Sequence, residues 1–298
     1  MKSIVDIAYR FNTEEECLKY LEEIRWNGNV VSPYNKSSKV YKCKGGKYKC
    51  SVTGKYFTAK TQTIFEKSKV SLRKWFILLS MMSTHKLGLS SHQASRDLGL
   101  PQPTVWRMML KIRQHLEQNY SQRDGEFEVD EIYFSPQTRK EHITKKKTPR
   151  RYPWQRPYTY SKKPKIPVFT CIDSNGWNLT LTVVKNTTKE SLYPIIQTRI
   201  TKGATVISDD YKSYIRLTDH YNHKIVNHNT YSFVNEDGDT TNDAECVHHH
   251  LRSFLRTHNN TTIKKYLQAY LNHFVWLYNH RKDNFQIRFS SIVSSMVS

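Results

Sequence analysis

Three carboxylates stand out for the chemistry they could perform together. Asp130 lies in the strand-like run Phe127-Glu128-Val129-Asp130-Glu131-Ile132-Tyr133-Phe134, and Asp209 closes the run Thr205-Val206-Ile207-Ser208-Asp209. Glu245 opens a helix-like segment ahead of Leu251, Phe254 and Leu255. Hard oxygen donors of this kind select Mg²⁺ or Mn²⁺ over zinc. Two such ions about 4 Å apart activate an attacking oxygen and stabilise a departing one during in-line displacement at phosphorus. One carboxylate must bridge both ions. Asp130, central in its strand, is the candidate bridge, and Asp209 and Glu245 would complete one ion each. Singly, a strand-end aspartate caps a turn and a helix-opening glutamate answers the helix dipole. The three in this order point instead to a metal centre.

The helix around Glu245 extends the constellation. Asn242, Glu245, His248 or His249, and Arg252 recur every three or four residues and share a face opposite Val247, Leu251 and Phe254. A ligand, an imidazole and a guanidinium on one face suit a phosphate group. Asn242 and Asp243 lie within one turn of Glu245, which leaves the third ligand open among them. The run His248-His249-His250 does not form a chelate, because consecutive helical positions point in different directions.

Charge agrees with an anionic substrate. The 298 residues carry 47 Lys and Arg against 26 Asp and Glu, a net charge of 47 − 26 = +21. Such an excess favours a polyanionic partner, most often nucleic acid. A 37 % hydrophobic content is enough for buried cores, and the length holds one catalytic domain plus one or two small modules. Cys17, Cys43, Cys50, Cys171 and Cys246 are odd in number and irregular in spacing, which excludes a secreted disulfide framework and predicts a cytosolic protein. The most apolar run, Trp75 to Met82, is far short of the roughly 20 residues of a spanning helix and reads as a buried helical segment, so no membrane partner is expected.

Several elements must position these groups. Residues 1–30 hold a helix opened by Thr13-Glu14-Glu15-Glu16, with Leu18, Leu21 and Ile24 on its apolar side and a stop near Gly28. Residues 31–66 are rich in Gly and Lys, and the alternation of Tyr48, Cys50 and Val52 predicts a small ribbon of short strands. Residues 67–120 read as helices. A short one from Ser90 stops at Gly99, and Pro101 and Pro103 start the next, which runs from Thr104 to Leu116. This spacing predicts a helix-turn-helix with Gln102, Thr104, Arg107 and Lys111 facing a DNA duplex.

Residues 121–298 are expected to form the catalytic domain. A basic insertion at 135–165 carries eleven Lys or Arg, among them Lys145, Lys146, Lys147, Arg150 and Arg151, against the single acid Glu141. Interleaved Tyr152, Trp154, Tyr158 and Tyr160 suit contact with DNA phosphates and bases. Two β-rich runs, Val168 to Ile172 and Leu179 to Val184, flank Asn175-Gly176 and predict a hairpin. A helix from Lys189 to Ile200 then leads into the Asp209 strand. Asp-bearing strand, hairpin, helix, Asp-bearing strand and carboxylate-bearing helix is the order of a ribonuclease-H-like α/β domain, a mixed sheet flanked by helices.

These residues resemble a family. The whole chain is similar to the DDE transposases of ISXO-type insertion sequences, relatives of the eukaryotic Merlin elements. Val129-Asp130-Glu131 resembles their first catalytic motif and Ser208-Asp209-Asp210-Tyr211-Lys212-Ser213-Tyr214 their second. Val226-Asn227-His228, Thr241-Asn242 through Glu245, and Ala269-Tyr270-Leu271-Asn272 through Asn279-His280-Arg281 resemble their closing segments. Glu14 to Trp26, Lys47-Tyr48-Lys49-Cys50, Thr63 to Glu66 and Leu72 to Trp75 resemble the amino-terminal parts.

Departures from the family pattern are also visible. Family ribbons carry two Cys-x-x-Cys knuckles, but the corresponding positions here are Ser32, Asn35, Cys50 and Thr53. One thiolate in four cannot hold tetrahedral zinc, so a degenerate, metal-free ribbon is expected. His248 and Arg252 stand where the family usually has Trp and Lys, and Arg keeps the positive charge but not the shape.

The resemblance implies a transposase that binds terminal inverted repeats, cleaves to expose a 3′ hydroxyl and joins it to target DNA, using two Mg²⁺ or Mn²⁺ ions. It also implies a homodimer or larger assembly on DNA, a prokaryotic nucleoid setting, and DNA contacts from His228 and His248. The alternative is a catalytically inactive or domesticated transposase-derived DNA-binding protein, which the degenerate ribbon favours and the retained carboxylates oppose.

Overall fold

The computed structural model describes residues 2–118, 121–135, 165–174, 178–209, 212–214, 217–226, 242–258 and 264–297. In chain order the elements are α1 (Ile4–Arg10), α2 (Glu14–Trp26), β1 (Val40–Cys43), β2 (Lys47–Cys50), β3 (Tyr56–Phe57), α3 (Leu72–Thr84), α4 (Ser91–Leu98) and α5 (Gln102–His115). They continue as β4 (Glu126–Phe134), β5 (Ile166–Asp173), β6 (Leu179–Val183), α6 (Lys189–Gln197), β7 (Thr205–Asp209), β8 (Asn222–Val226), α7 (Asn242–Thr257), α8 (Lys264–Asn279) and α9 (Phe285–Ser295). Two compact units result, one of residues 1–119 with 272–298 and the other of residues 120–271.

In the first unit, local signals fix the helix ends. The Thr13 hydroxyl accepts the Glu16 amide while the Glu16 carboxylate accepts the Thr13 amide at 2.8 Å. This reciprocal cap on α2 stabilises it by about 1 kcal/mol. Gly99, at φ +57°, ends α4 with its N–H directed to the carbonyls of Arg96 and Ser95, a left-handed conformation that glycine adopts without Cβ strain. Pro103 in the first turn of α5 sits where a missing N–H is harmless.

The ribbon is a three-stranded antiparallel sheet in the order β1-β2-β3, with Tyr48 and Phe57 packed edge-on against Trp26 of α2. Val52, expected to continue the alternation of β2, lies instead in the turn beyond it, where the Gly54 amide donates to the Cys50 carbonyl.

The core of this unit also claims the carboxyl terminus. Phe289 of α9 packs on Phe11, Tyr20 and Phe76 with ring centroids 5.7 to 5.9 Å away. The expectation that 121–298 forms one domain is therefore corrected, because aromatic packing draws residues 272–298 into the amino-terminal unit.

The second unit is a mixed five-stranded sheet in the order β6-β5-β4-β7-β8. β4 pairs antiparallel with β5, and β5 with β6, whereas β4 with β7 and β7 with β8 run parallel. The expected hairpin is present, from Val168 opposite Val183 to Ile172 opposite Leu179, although its tip at 175–177 lies outside the described residues. Phe127, Val129, Phe169, Cys171 and Val206 share one face and bury Leu192 and Ile196 of α6. The opposite face takes α7, whose buried residues are Ala244, Val247, His248, Leu251, Phe254 and Leu255. β8 is not signalled by the sequence, because Asn222-His223-Lys224 is polar, as befits an edge strand. Among the described residues no helix is long and apolar enough to cross a membrane.

Candidate active site

The register of β4 and β7 brings the two aspartates together. Parallel pairing aligns Glu126 with Thr205, Phe127 with Val206 and Glu128 with Ile207. Two residues beyond the last of these pairs, Asp130 and Asp209 stand on the same two neighbouring strands. Electrostatics agree. Burial first, and then the charges of Asp130 and Asp209, push the Glu131 carboxyl up to about 7, although a hydrogen bond from Tyr214 opposes the rise. The Tyr214 hydroxyl donates to Glu131 Oε1 and is held well above its usual range by burial, by Glu131 and then by the same two aspartates.

Asp130 is held from two sides. Its Oδ1 accepts the Glu131 amide at 2.7 Å, and His248 Nδ1 of α7 lies 3.5 Å from its Oδ2. His248 Nε2 meets the hydroxyl of Thr170 at 2.7 Å, and Thr170 stands opposite Asp130 in the β4–β5 register. A carboxylate neighbour favours protonation, but burial and then the Arg252 guanidinium prevail and lower His248 to about 4. The imidazole is therefore neutral. If Thr170 donates to Nε2, the proton resides on Nδ1, facing Asp130.

Glu128, two residues before Asp130 and on the same face by strand alternation, is only 4 % exposed. Its Oε2 accepts the Ala244 amide in the first turn of α7 at 3.0 Å. Burial raises its carboxyl to about 7 against the lowering effect of that hydrogen bond. The sequence singled out neither Glu128 nor the Glu131 and Tyr214 pair. The available signal was a glutamate between Phe127 and Val129, at strand spacing from Asp130.

The other expected residues are placed as follows. Asn242, Glu245 and Arg252 are exposed on α7, with Glu245 one turn before His248. Among the described residues no three His, Cys, Asp or Glu side chains form a group able to hold a metal ion, so Glu245 does not join the aspartates in a ready-made trio. Arg107 and Lys111 are exposed one turn apart on α5, Thr104 is half-buried, and Gln102 Nε2 donates to Ser91 Oγ of α4 at 2.8 Å. Lys145, Lys146, Lys147, Arg150, Arg151 and His228 lie outside the described residues.

In the ribbon, the fully covered Cys50 sulfur meets Ser38 Oγ at 3.1 Å. Hydrogen bonds from Ser32, then Ser38 and Thr53, lower its thiol to about 6. Hydroxyl groups thus surround the sulfur that the family pattern would place beside other thiolates.

Residues 122–279 match the model of the ISXO2-like transposase domain, more than half of the chain. The chain belongs to the ISXO2-like transposases. An uncharacterized protein in the transposable element ISH50 of Halobacterium salinarum is 25 % identical over 233 residues, 76 % of this chain and 78 % of the relative. Among solved structures, a chain of the simian T-cell lymphotropic virus intasome in complex with a PP2A regulatory subunit aligns at 11 % identity and TM-score 0.30. That alignment spans 61 % of this chain and 63 % of the other. Chains of the Mos1 strand transfer complex and of a pre-cleavage Mos1 transpososome align at 14 % and 12 % identity, both with TM-score 0.24. The first covers 71 % of this transposase and 74 % of its match, and the second 99 % and 97 %. Scores this low do not establish a shared fold.

Proposed function

We propose that this protein is the transposase of an insertion sequence, binding the terminal inverted repeats and catalysing 3′-end cleavage and strand transfer through a pair of divalent ions. The observation that carries this reading is that Asp130 and Asp209, on neighbouring parallel strands inside an ISXO2-like domain, both act on the same Glu131 and Tyr214. Counted from β4, the sheet has the order 3-2-1-4-5, which supports a ribonuclease-H-like assignment. The α4-turn-α5 pair supports a helix-turn-helix, and the small antiparallel sheet a degenerate zinc ribbon.

The donor set fits Mg²⁺ or Mn²⁺. Asp130 and Asp209 offer hard oxygens, and after burial both raise the same Glu131 and Tyr214. They would hold the ions, with Glu245 on the first turn of α7 as the third carboxylate. Ions bound there would supply Lewis-acid activation of the attacking oxygen and stabilisation of the departing one.

The remaining residues act by positioning. His248 aims the Asp130 carboxylate, Glu128 ties α7 to β4, and Arg252 offers a guanidinium to a phosphate from the exposed side of α7. Arg107 and Lys111 would meet the duplex from α5. Water and then the DNA 3′ oxygen are the nucleophiles, so no protein nucleophile is required.

The test is to incubate purified protein with Mg²⁺, a linear duplex ending in the element's inverted repeats, and a supercoiled target plasmid. The reading expects nicks at the 3′ ends and end DNA covalently joined to the plasmid. Nicks without joined product would indicate a nuclease. Binding without nicks would indicate a decayed, DNA-binding relative.

A further inference from the structure

The ribbon has an outer face that neither its packing nor the carboxylate site uses. In the β1-β2-β3 register Tyr41 stands opposite Lys49, and Lys49 opposite Tyr56. Side chains directly opposite each other in antiparallel strands share a face, so the three form one row across the sheet. Cys43 opposite Lys47 forms the next row on the same side. The alternate positions, Tyr48, Cys50 and Phe57, are buried.

Tyr41 and Tyr56 are 57 % and 58 % exposed, and the Lys49 ammonium lies 5.7 Å from the Tyr56 ring centroid. Lys47 and Lys49 are also exposed. Residues 31–65 contain eight lysines and no Asp or Glu. Solvated lysine faces usually interleave acids, which limit self-repulsion. This one has none, and it exposes two large aromatic rings although the inner side of the same sheet buries Tyr48 and Phe57.

We propose that this outer face is a contact site for the phosphodiester backbone of duplex DNA, with Lys47 and Lys49 neutralising phosphates and the Tyr41 and Tyr56 hydroxyls donating to them. A phosphate backbone fits both chemistries, since ammonium groups and phenolic hydroxyls are its common partners. The contact is independent of base sequence and separate from base readout by α5. The inference rests on the reading of the chain as a DNA transposase and adds a second binding element to it.

The test measures binding of the full chain to duplex DNA in Mg²⁺-free buffer across a salt series, alongside cleavage by the wild-type protein. For Lys47→Gln with Lys49→Gln, the slope of log affinity against log salt should fall by about 1.8, from 0.9 per phosphate, with affinity reduced about ten-fold on any sequence. Tyr41→Ala with Tyr56→Ala removes no charge. It should leave the slope unchanged and weaken duplex binding by about ten-fold or more, the loss expected for a hydrogen bond to a charged group.

All four side chains are exposed, so unchanged melting temperatures are expected and would confirm that the variants are folded. Wild-type affinity in the tyrosine variant would reduce the face to bulk charge and overturn the proposal, as would a wild-type slope in the lysine variant. A loss confined to single-stranded DNA would also overturn it. Failure of the wild-type protein to bind DNA at all would instead defeat the transposase reading on which the proposal stands.

Discussion

At Asp130 the two carboxylate oxygens are held from opposite sides, one by the Glu131 amide and the other by a neutral His248 whose far nitrogen is engaged by Thr170. A partner of this kind, one step removed from a metal ligand, commonly changes metal affinity 10- to 100-fold when removed. His248→Ala is therefore expected to raise the Mg²⁺ concentration for half-maximal cleavage about ten-fold while leaving end binding unchanged. Thr170→Val should move it in the same direction, because the hydroxyl is the partner that holds the far imidazole nitrogen. A metal titration of cleavage checks both, and an unchanged requirement in both variants would remove His248 from the site.

The strand positions of the two aspartates were legible in the sequence, since each ends or centres a β-rich run. Glu128 was not. Its role depends on Ala244, more than a hundred residues later, and no local pattern announces that its carboxylate caps another element.

Among the elements, those with local signals were read correctly. The cap at Thr13, the Gly99 stop and the hairpin strands all follow from short-range chemistry. β8 and the placement of α9 were missed because the first is a polar edge strand and the second is decided by aromatic contacts with Phe11, Tyr20 and Phe76.

The ribbon gives two tests at this scale. Hydroxyl partners hold the Cys50 thiol at about 6, below the ordinary 9.0. A group whose folded pKa is depressed adds stability that is present above its unfolded pKa and lost as pH falls. Thermal melts should therefore show the ribbon's contribution rising from pH 6 to pH 9, and Cys50→Ala should remove that dependence; identical pH profiles would contradict it. Elemental analysis of purified protein should also find far less than one zinc per chain, because Ser32, Asn35 and Thr53 cannot replace thiolates. A tightly held stoichiometric zinc would require another ligand set, with Cys43 the first residue to reconsider.

For the whole molecule, a charge of +21 predicts that binding to DNA depends strongly on salt. The basic segment and α5 should contribute differently. Replacing Lys145, Lys146 and Lys147 with Ala should lower the salt slope by about 2.7, at 0.9 per phosphate, and weaken all sequences alike. Arg107→Ala should preferentially weaken the inverted repeat. Competition between repeat and random duplexes across a salt series separates the two effects, and a wild-type slope in the triple variant would remove the segment from the DNA contact.

The central claim is that Asp130 and Asp209 form one metal-dependent centre acting on DNA. It is tested most directly by Asp130→Asn and Asp209→Asn, each compared with wild type for Mg²⁺-dependent cleavage and for binding of the same end DNA. A neutral amide keeps the shape of the strand and removes the charge that a cation requires. Both variants are expected to bind end DNA nearly as wild type does and to lose cleavage and strand transfer altogether. Cleavage by either at close to the wild-type rate would contradict the account.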